Sequence, residues 1–495
     1  MNFYIINHDY KYESERVARL FLPLQKFCFI YDGTPDFEGD YIYTSAEKNG
    51  KETVLKAEVR VNGKKAVKTD GVFNNIPDFK SAAERKLTTL LFLCFEEITE
   101  YSPEWGMLTG IRPARFLSNL IKRYGKEKAI RFLTDEMFVK EKKKNLCYDC
   151  LLAEEKIISH SKPDFFSLYI SVPFCPSRCK YCSFVSHSVR SSANLIPLYV
   201  EKVCEEIRYT ARIAKECGLK LCTVYIGGGT PTTLSAEQLQ KIMQTVNGSF
   251  DKKHLAEFTV EAGRPDTITE EKLRVILNNG ATRISINPQT MNDEVLKIAG
   301  RPHTAKDFVD SFLSARKVGF NNINTDLIAG LSGDSFESFK HTVDEIVKLS
   351  PESVTVHSLS VKRAADIDQF DSLANGNETE KMVSYAQKTL TDNNLFPYYL
   401  YRQGKTVGNL ENVGYAKKGR ECLYNIYIMD ETHTVLACGA AATSKLRQPN
   451  GEYIERIFNY KYPYEYLNKF DEMLKRKERV KEFYDIYGAT DKQKG

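Results

Sequence analysis

Residues 168–182 read Leu168-Tyr-Ile-Ser-Val-Pro-Phe-Cys175-Pro-Ser-Arg-Cys179-Lys-Tyr-Cys182. An apolar run of strand character leads into a loop carrying three cysteines, and a long helical stretch follows. Three thiolates at this spacing can hold three corners of a cubane iron-sulfur cluster and leave the fourth iron without a protein ligand. The same triplet can also form a structural zinc site, with His187, five residues beyond Cys182, as fourth ligand. Position favours the cluster: the triplet lies where a strand's carboxyl end enters a loop, and (β/α) barrels build their active sites there.

Working outward, the rhythm of strand, loop and helix repeats from Phe165. Short apolar runs at 166–172, 223–226, 257–261, 283–287, 322–327 and 353–359 are the strand candidates. Helical periodicity fills the gaps, clearest where Phe336, Phe339, Val343, Ile346 and Val347 share one face. The fold class is therefore α/β, a parallel sheet in a partial (β/α)6 TIM-like barrel. Residues 1–163 alternate strands (3–6, 54–61) with helices (82–99, 129–138) and read as an N-terminal α+β domain. The core spans 164–375. Beyond it, 376–495 reads as a small C-terminal α+β extension, with a helix at 381–391 and strands at 398–402, 422–429 and 434–438.

The second strand candidate runs into Gly227-Gly228-Gly229-Thr230-Pro231-Thr232. Glycines directly after a strand let a ligand approach the backbone, and their amides can bond a charged ligand end. Composition bounds the partners. The net charge of +5 over 495 residues, with no basic stripe interleaved with aromatics, argues against nucleic acid and suits an anionic small molecule. No apolar stretch approaches the roughly 20 residues of a membrane span, and no signal peptide is visible. Twelve cysteines without a disulfide-like framework fit a reducing compartment, so the expected location is the cytoplasm.

Together, the cysteine loop and the glycine loop on successive strands resemble the radical S-adenosylmethionine (SAM) enzymes. Later motifs narrow the resemblance: Glu261 ends the third strand, Arg283-Ile-Ser-Ile-Asn-Pro-Gln289 forms the fourth, Ala299-Gly-Arg301-Pro-His303 follows, and Asn324-Thr-Asp326 opens the fifth. This series is similar to the oxygen-independent coproporphyrinogen III oxidases, or coproporphyrinogen dehydrogenases. The stretches from Trp105 to Arg115 and from Gly408 to Tyr415 resemble the long HemZ-type branch.

The resemblance implies a 4Fe-4S cluster on Cys175, Cys179 and Cys182, with SAM chelating the open iron. It implies SAM contacts from Tyr169, Tyr181, Gly228, Gly229, Thr230, Glu261, Gln289, Arg301 and Asp326. Arg301 would clamp a carboxylate, Glu261 and Asp326 would accept from ribose hydroxyls or an ammonium, and Tyr181 would pack on adenine. The implied activity is oxidative decarboxylation of two propionates to vinyl groups in haem biosynthesis, with a separate electron donor and acceptor. The alternatives are a haem or tetrapyrrole carrier, with Tyr424 or His433 as haem ligand, and a radical SAM enzyme with another tetrapyrrole reaction. Phe184 stands where the oxidases carry a fourth cysteine and Ser171 where they carry a histidine. Tyr424 to Met429 lacks the histidine and tryptophan of the haem chaperones' motif. Arg112 and Arg115 are candidate substrate cations, and Cys147 and Cys150 read as ordinary thiols in a helix.

Overall fold

The computed structural model describes residues 1–31, 37–182, 187–360, 376–404 and 406–488. They pack as two compact units. Of the described residues, the first contains Met1–Tyr148, Gly376 and Arg402–Leu410, and the second the remainder up to 488.

The first unit is built on a five-stranded sheet of β1 (Asn2–Ile6), β2 (Cys28–Ile30), β3 (Tyr41–Asn49), β4 (Glu52–Val61) and β5 (Lys64–Phe73), in the order β2-β1-β3-β4-β5. Alternate residues of β4, namely Leu55, Ala57 and Val59, are fully buried with Leu87, Leu91 and Phe95 from helix Phe79–Thr99. A period of two thus meets a period of four across one core. In the same unit Trp105 is buried beneath the Arg402 guanidinium, 5.3 Å from its ring centroid.

The second unit carries the (β/α) series: β6 (Phe165–Val172), β7 (Lys220–Gly228), β8 (Glu257–Glu261), β9 (Arg283–Ser285), β10 (Ile323–Ala329) and β11 (Ser353–Ser358). These six pair in parallel with consecutive neighbours. β12 (Phe396–Arg402) and β13 (Glu411–Ala416) extend one edge, with β13 antiparallel to β11. β14 (Thr434–Cys438), β15 (Thr443–Arg447) and β16 (Ile454–Phe458) extend the other, with β14 parallel to β6. The result is one open sheet in the order β12-β13-β11-β10-β9-β8-β7-β6-β14-β15-β16. Residues set apart as a C-terminal extension in the sequence reading therefore supply both edges of the core sheet.

One correction is local. Residues 422–429, read as a strand, form helix Leu423–Met429. Buried Glu257 explains it: its carboxylate accepts the Leu423 N–H at 2.7 Å, the Tyr424 N–H at 3.3 Å and the Cys422 thiol at 3.4 Å. A carboxylate at the first turn satisfies amides that the helix cannot and complements its dipole.

The core strands alternate in chemistry. Phe166, Leu168, Ile170, Val224, Ile226, Val260 and Ile284 are fully buried on one face. The opposite face is polar and bonded from strand to strand. Thr223 Oγ1 donates to Ser167 Oγ at 2.7 Å, Asn324 Nδ2 to Ser285 Oγ at 2.8 Å, and both Arg283 Nη2 (3.0 Å, to Ser353 Oγ) and Ser353 Oγ (2.9 Å, to Asn324 Oδ1) continue the chain. A barrel filled for stability packs branched aliphatics on this face. This open sheet instead presents hydrogen-bonding groups and tyrosines.

Candidate functional site

The cysteine loop leaves β6 and is knitted to the glycine loop leaving β7. Gly229 donates its N–H to the Val172 carbonyl and Thr230 to the Phe174 carbonyl, each at 2.8 Å, and Thr230 Oγ1 lies 3.4 Å from Cys175 Sγ. A Cβ on Gly229 would sit 2.6 Å from the Phe174 oxygen and 3.0 Å from Cys175 Sγ, so only glycine permits this approach. Gly228 has φ of +115°, outside the range of ordinary side chains. Adjacent parallel strands bring the two loops side by side, and the amides of Gly229 and Thr230 are bonded to the Val172 and Phe174 carbonyls.

Cys179 is buried, whereas Cys175 and Cys182 are half-buried. The Cys182 N–H donates to the Cys179 carbonyl at 3.0 Å, and the Lys180 N–H to Ala299 at 3.0 Å, which ties this loop to the segment before Arg301. Among the described residues, no three His, Cys, Asp or Glu side chains are gathered around a position for one metal ion. A mononuclear zinc draws its thiolates to about 2.3 Å from a common centre, whereas a cubane takes one thiolate per iron. The donor set fits the latter: three cysteines on one loop, one thiolate for each of three irons. His187 pairs its backbone N–H with Pro173 at 2.8 Å and sets its ring edge-on to Tyr462. Phe184 lies outside the described residues.

Around the loops stand the strand-end polar residues. Glu261 accepts the Tyr225 hydroxyl, and burial raises its carboxyl from 4.5 to about 7. For Asp326, burial opposes ionisation, but the nearby His357 and the hydrogen bond from Asn324 outweigh it and hold the carboxyl below its ordinary value. Asn324 Nδ2 is 2.7 Å from Asp326 Oδ1, and His357 Nε2 is 3.9 Å from Oδ2. Two carboxylates on one rim are therefore tuned apart, one ionised and one poised near neutrality. Gln289 has φ of +71°. That turn lets its N–H reach the Asp326 carbonyl and its own carbonyl receive the Ile328 N–H, both at 3.0 Å.

Arg301 is buried and bonded within the protein: Nη1 donates to Tyr181 OH at 2.9 Å, and Nη2 to the Gly263 and Asn287 carbonyls at 2.8 Å each. It ties the cysteine loop to the loops after β8 and β9. Tyr169 stacks with Tyr225 and Tyr424, whose own centroids are 4.5 Å apart. The structure thus places Tyr169, Gly228, Gly229, Thr230, Glu261, Gln289 and Asp326 on β6 to β10 or their following loops. Tyr181 and Arg301 sit as a pair beside them.

Sequence reasoning missed Arg264, Asn287, Tyr225 and His357. Arg264 Nη1 donates to Cys179 Sγ at 3.7 Å, and Asn287 Oδ1 receives the Asp326 N–H at 3.2 Å. Asn287, Tyr225 and His357 fall on the polar register of their strands, a signal that strand alternation carries. Elsewhere, Cys147 and Cys150 are buried in helix Glu141–Ile158. Arg112 and Arg115 are half-buried at the start of helix Pro113–Tyr124 in the first unit.

Comparison with known proteins yields a consistent set. Residues 169–346 match the radical SAM superfamily. A protein of Bacillus subtilis (strain 168), oxygen-independent coproporphyrinogen-III oxidase-like protein HemZ, is 34% identical over 489 residues, 97% of this chain and 96% of that protein. Heme chaperone HemW of the same organism is 39% identical over 197 residues, 40% of this chain and 51% of its own. The structure of coproporphyrinogen III oxidase (HemN) from Escherichia coli, a radical SAM enzyme, superposes with a TM-score of 0.50 at 20% identity, covering 66% of this chain and 73% of that one. At that identity the likeness bears on the fold alone. No helix among the described residues is long and apolar enough to cross a membrane.

Proposed function

Because the chain belongs to the radical SAM superfamily, in its oxygen-independent coproporphyrinogen-III oxidase-like family, we propose that it oxidatively decarboxylates propionates of coproporphyrinogen III. The product would be protoporphyrinogen IX. A 4Fe-4S cluster and SAM are the cofactors of this superfamily. When bound, they supply a radical that removes hydrogen from a propionate β-carbon, after which carbon dioxide and one electron leave and a vinyl group remains.

The chain's own residues prepare that chemistry. Cys175, Cys179 and Cys182 would hold the cluster. Glu261, Asp326 and Gln289 would receive the nucleoside and ammonium parts of SAM, with Tyr169 and Tyr181 flanking. Arg301 would position Tyr181 and the loops after β8 and β9. The observation that carries the reading is the knitting of the cysteine and glycine loops beside a rim of differently tuned carboxylates.

The likeness to a heme chaperone raises the carrier as a second reading. Against it stands His433, whose Nδ1 is 3.0 Å from Ser167 Oγ and Nε2 2.8 Å from Ser161 Oγ. Both ring nitrogens are engaged and the side chain is buried. Tyr424 is likewise buried within the tyrosine stack.

The test is anaerobic: cluster-reconstituted protein, SAM, a reductant, coproporphyrinogen III and a one-electron acceptor, with 5'-deoxyadenosine and tetrapyrrole products quantified. Vinyl product that is lost in Cys179→Ala supports the proposal. SAM cleavage without vinyl product overturns the substrate. A stable haem complex that survives Cys179→Ala supports the carrier, and zinc in place of iron and sulfide overturns the cluster.

A further inference from the structure

Arg264 has no part in the reading above, yet its guanidinium is placed against a cluster cysteine. It follows β8 in the loop after Glu261 and is 3% exposed. Nε and Nη2 grip the two Asp266 oxygens at 2.9 Å each, a fork-to-fork pair that fixes the guanidinium plane. The remaining edge turns to the cysteine loop. Nη1 is 3.3 Å from both the carbonyl and the hydroxyl of Ser177, Nη2 is 3.3 Å from that hydroxyl, and Nη1 is 3.7 Å from Cys179 Sγ. His303 also faces the pair, with Nδ1 3.9 Å from Asp266; burial foremost, then the Arg301 charge, lowers its pKa to about 3 and keeps it neutral. Arg264 and Asp266 are the charged pair set against Cys179, and Arg301, bonded to Tyr181, stands beside them.

A cation buried at a cluster ligand changes the cluster's electron affinity. Hydrogen bonds to the sulfurs and nearby charge are among the principal determinants of iron-sulfur potentials, and partners beyond the ligands tune a metal site. The reduced cluster carries one more negative charge than the oxidised one, so a donor and positive charge at Cys179 stabilise it preferentially. We propose that Arg264 raises the reduction potential of the cluster through Cys179, and that Asp266 sets how much of the guanidinium charge the thiolate experiences. Arg264 is thus a tuning residue rather than a catalytic one. The inference rests on the cluster being held by Cys175, Cys179 and Cys182.

An EPR-monitored redox titration of reconstituted protein without SAM tests it, with iron and sulfide measured on every sample. Arg264→Gln should lower the ratio of reduced to oxidised cluster at a fixed ambient potential about tenfold, equivalent to about 59 mV for one electron. Asp266→Asn, which leaves the guanidinium uncompensated, should raise that ratio severalfold. A merely structural clip predicts something else: both variants lose cluster, or both shift the same way. The proposal is overturned if both hold full clusters with ratios within twofold of the unaltered protein, or if their shifts share a sign. Should Arg264→Gln assemble no cluster, Asp266→Asn decides alone, and anything but a rise overturns the proposal. Absence of iron and sulfide from the unaltered protein would instead overturn the cluster itself.

Discussion

Lys477 Nζ lies 2.9 Å from Glu206 Oε1, and both side chains are sealed from solvent at 3% and 0% exposure. The carboxylate is fully used: Asn459 Nδ2 also reaches Oε1 at 2.7 Å, while Tyr466 OH and the Gly439 N–H reach Oε2 at 2.6 and 2.7 Å. Lys477 also donates to the Ala437 carbonyl at 2.6 Å. The pair therefore anchors the turn after β14 to helix Ile196–Glu216, next to the β6 end that becomes the cysteine loop. Removing one partner strands a buried charge, so Lys477→Met should cost about 3–5 kcal/mol in chemical unfolding. Combining it with Glu206→Gln should recover part of that loss, since neither charge is then left alone.

Glu257 is the second buried carboxylate with a structural task, since it receives the first amides of helix Leu423–Met429. Glu257→Gln keeps the shape but loses the charge assistance, at a cost of about 1.5–3 kcal/mol. Hydrogen exchange should localise the effect, with the amides of Leu423 and Tyr424 losing protection more than those of β8.

That helix also marks what the sequence could and could not convey. The strand cores at 257–261 and 434–438 were legible because alternation and bounding turns are local properties. Residues 422–429 were not, because a short apolar run fits strand or helix, and what decides is Glu257, 166 residues away from Leu423. The parallel pairing of β14 with β6 is equally non-local. At the site, the thiols and glycines announced themselves through spacing. Arg264 did not: an arginine before Pro265 and Asp266 reads as a solvated ion pair until the fold buries it against Cys179. Arg301 was legible as important, but its acceptors Gly263 and Asn287 are backbone carbonyls brought together only by the fold.

Glu261 gives a pH dependence with a defined sign. Its carboxyl, raised from 4.5 to about 7 by burial, is largely neutral below neutrality and then offers an ammonium group no opposite charge. SAM affinity of the reconstituted protein, measured by equilibrium dialysis, should rise up to about tenfold per pH unit below 7 and level off above it. Glu261→Gln should bind more weakly with that dependence flattened. Because burial makes the folded protein hold this proton more tightly than the unfolded chain, the group contributes stability that is full below about 4.5 and lost as pH rises through about 7.

His433 predicts the opposite slope. Burial lowers its pKa from 6.5 to about 3, so the unfolded chain takes up a proton that the folded protein refuses. Its contribution is present above 6.5 and lost as pH falls toward 3, with a slope of up to about 1.4 kcal/mol per unit. The difference in unfolding free energy between the unaltered protein and His433→Gln should change across that window and be constant above it. Haem titration of the same variant should be unchanged, since both nitrogens are bound to Ser161 and Ser167.

Two glycines of the second unit separate site geometry from chain flexibility. Gly229 faces the Phe174 oxygen and Cys175 Sγ so closely that a methyl group must push the two loops apart. Gly248, in helix Ala236–Ser249, has open space at the same position. Gly248→Ala should raise the unfolding free energy by about 0.5–1 kcal/mol, because alanine loses less backbone entropy in a helix, and should leave cluster content and SAM cleavage unchanged. Gly229→Ala should cut SAM cleavage about a hundredfold, the scale of an ångström-sized misplacement of reacting groups. Iron and sulfide should fall with it if Cys175 is displaced, and remain if only the glycine loop moves. A Gly229→Ala protein with undiminished SAM cleavage would mean that the close approach to Cys175 does not govern the site.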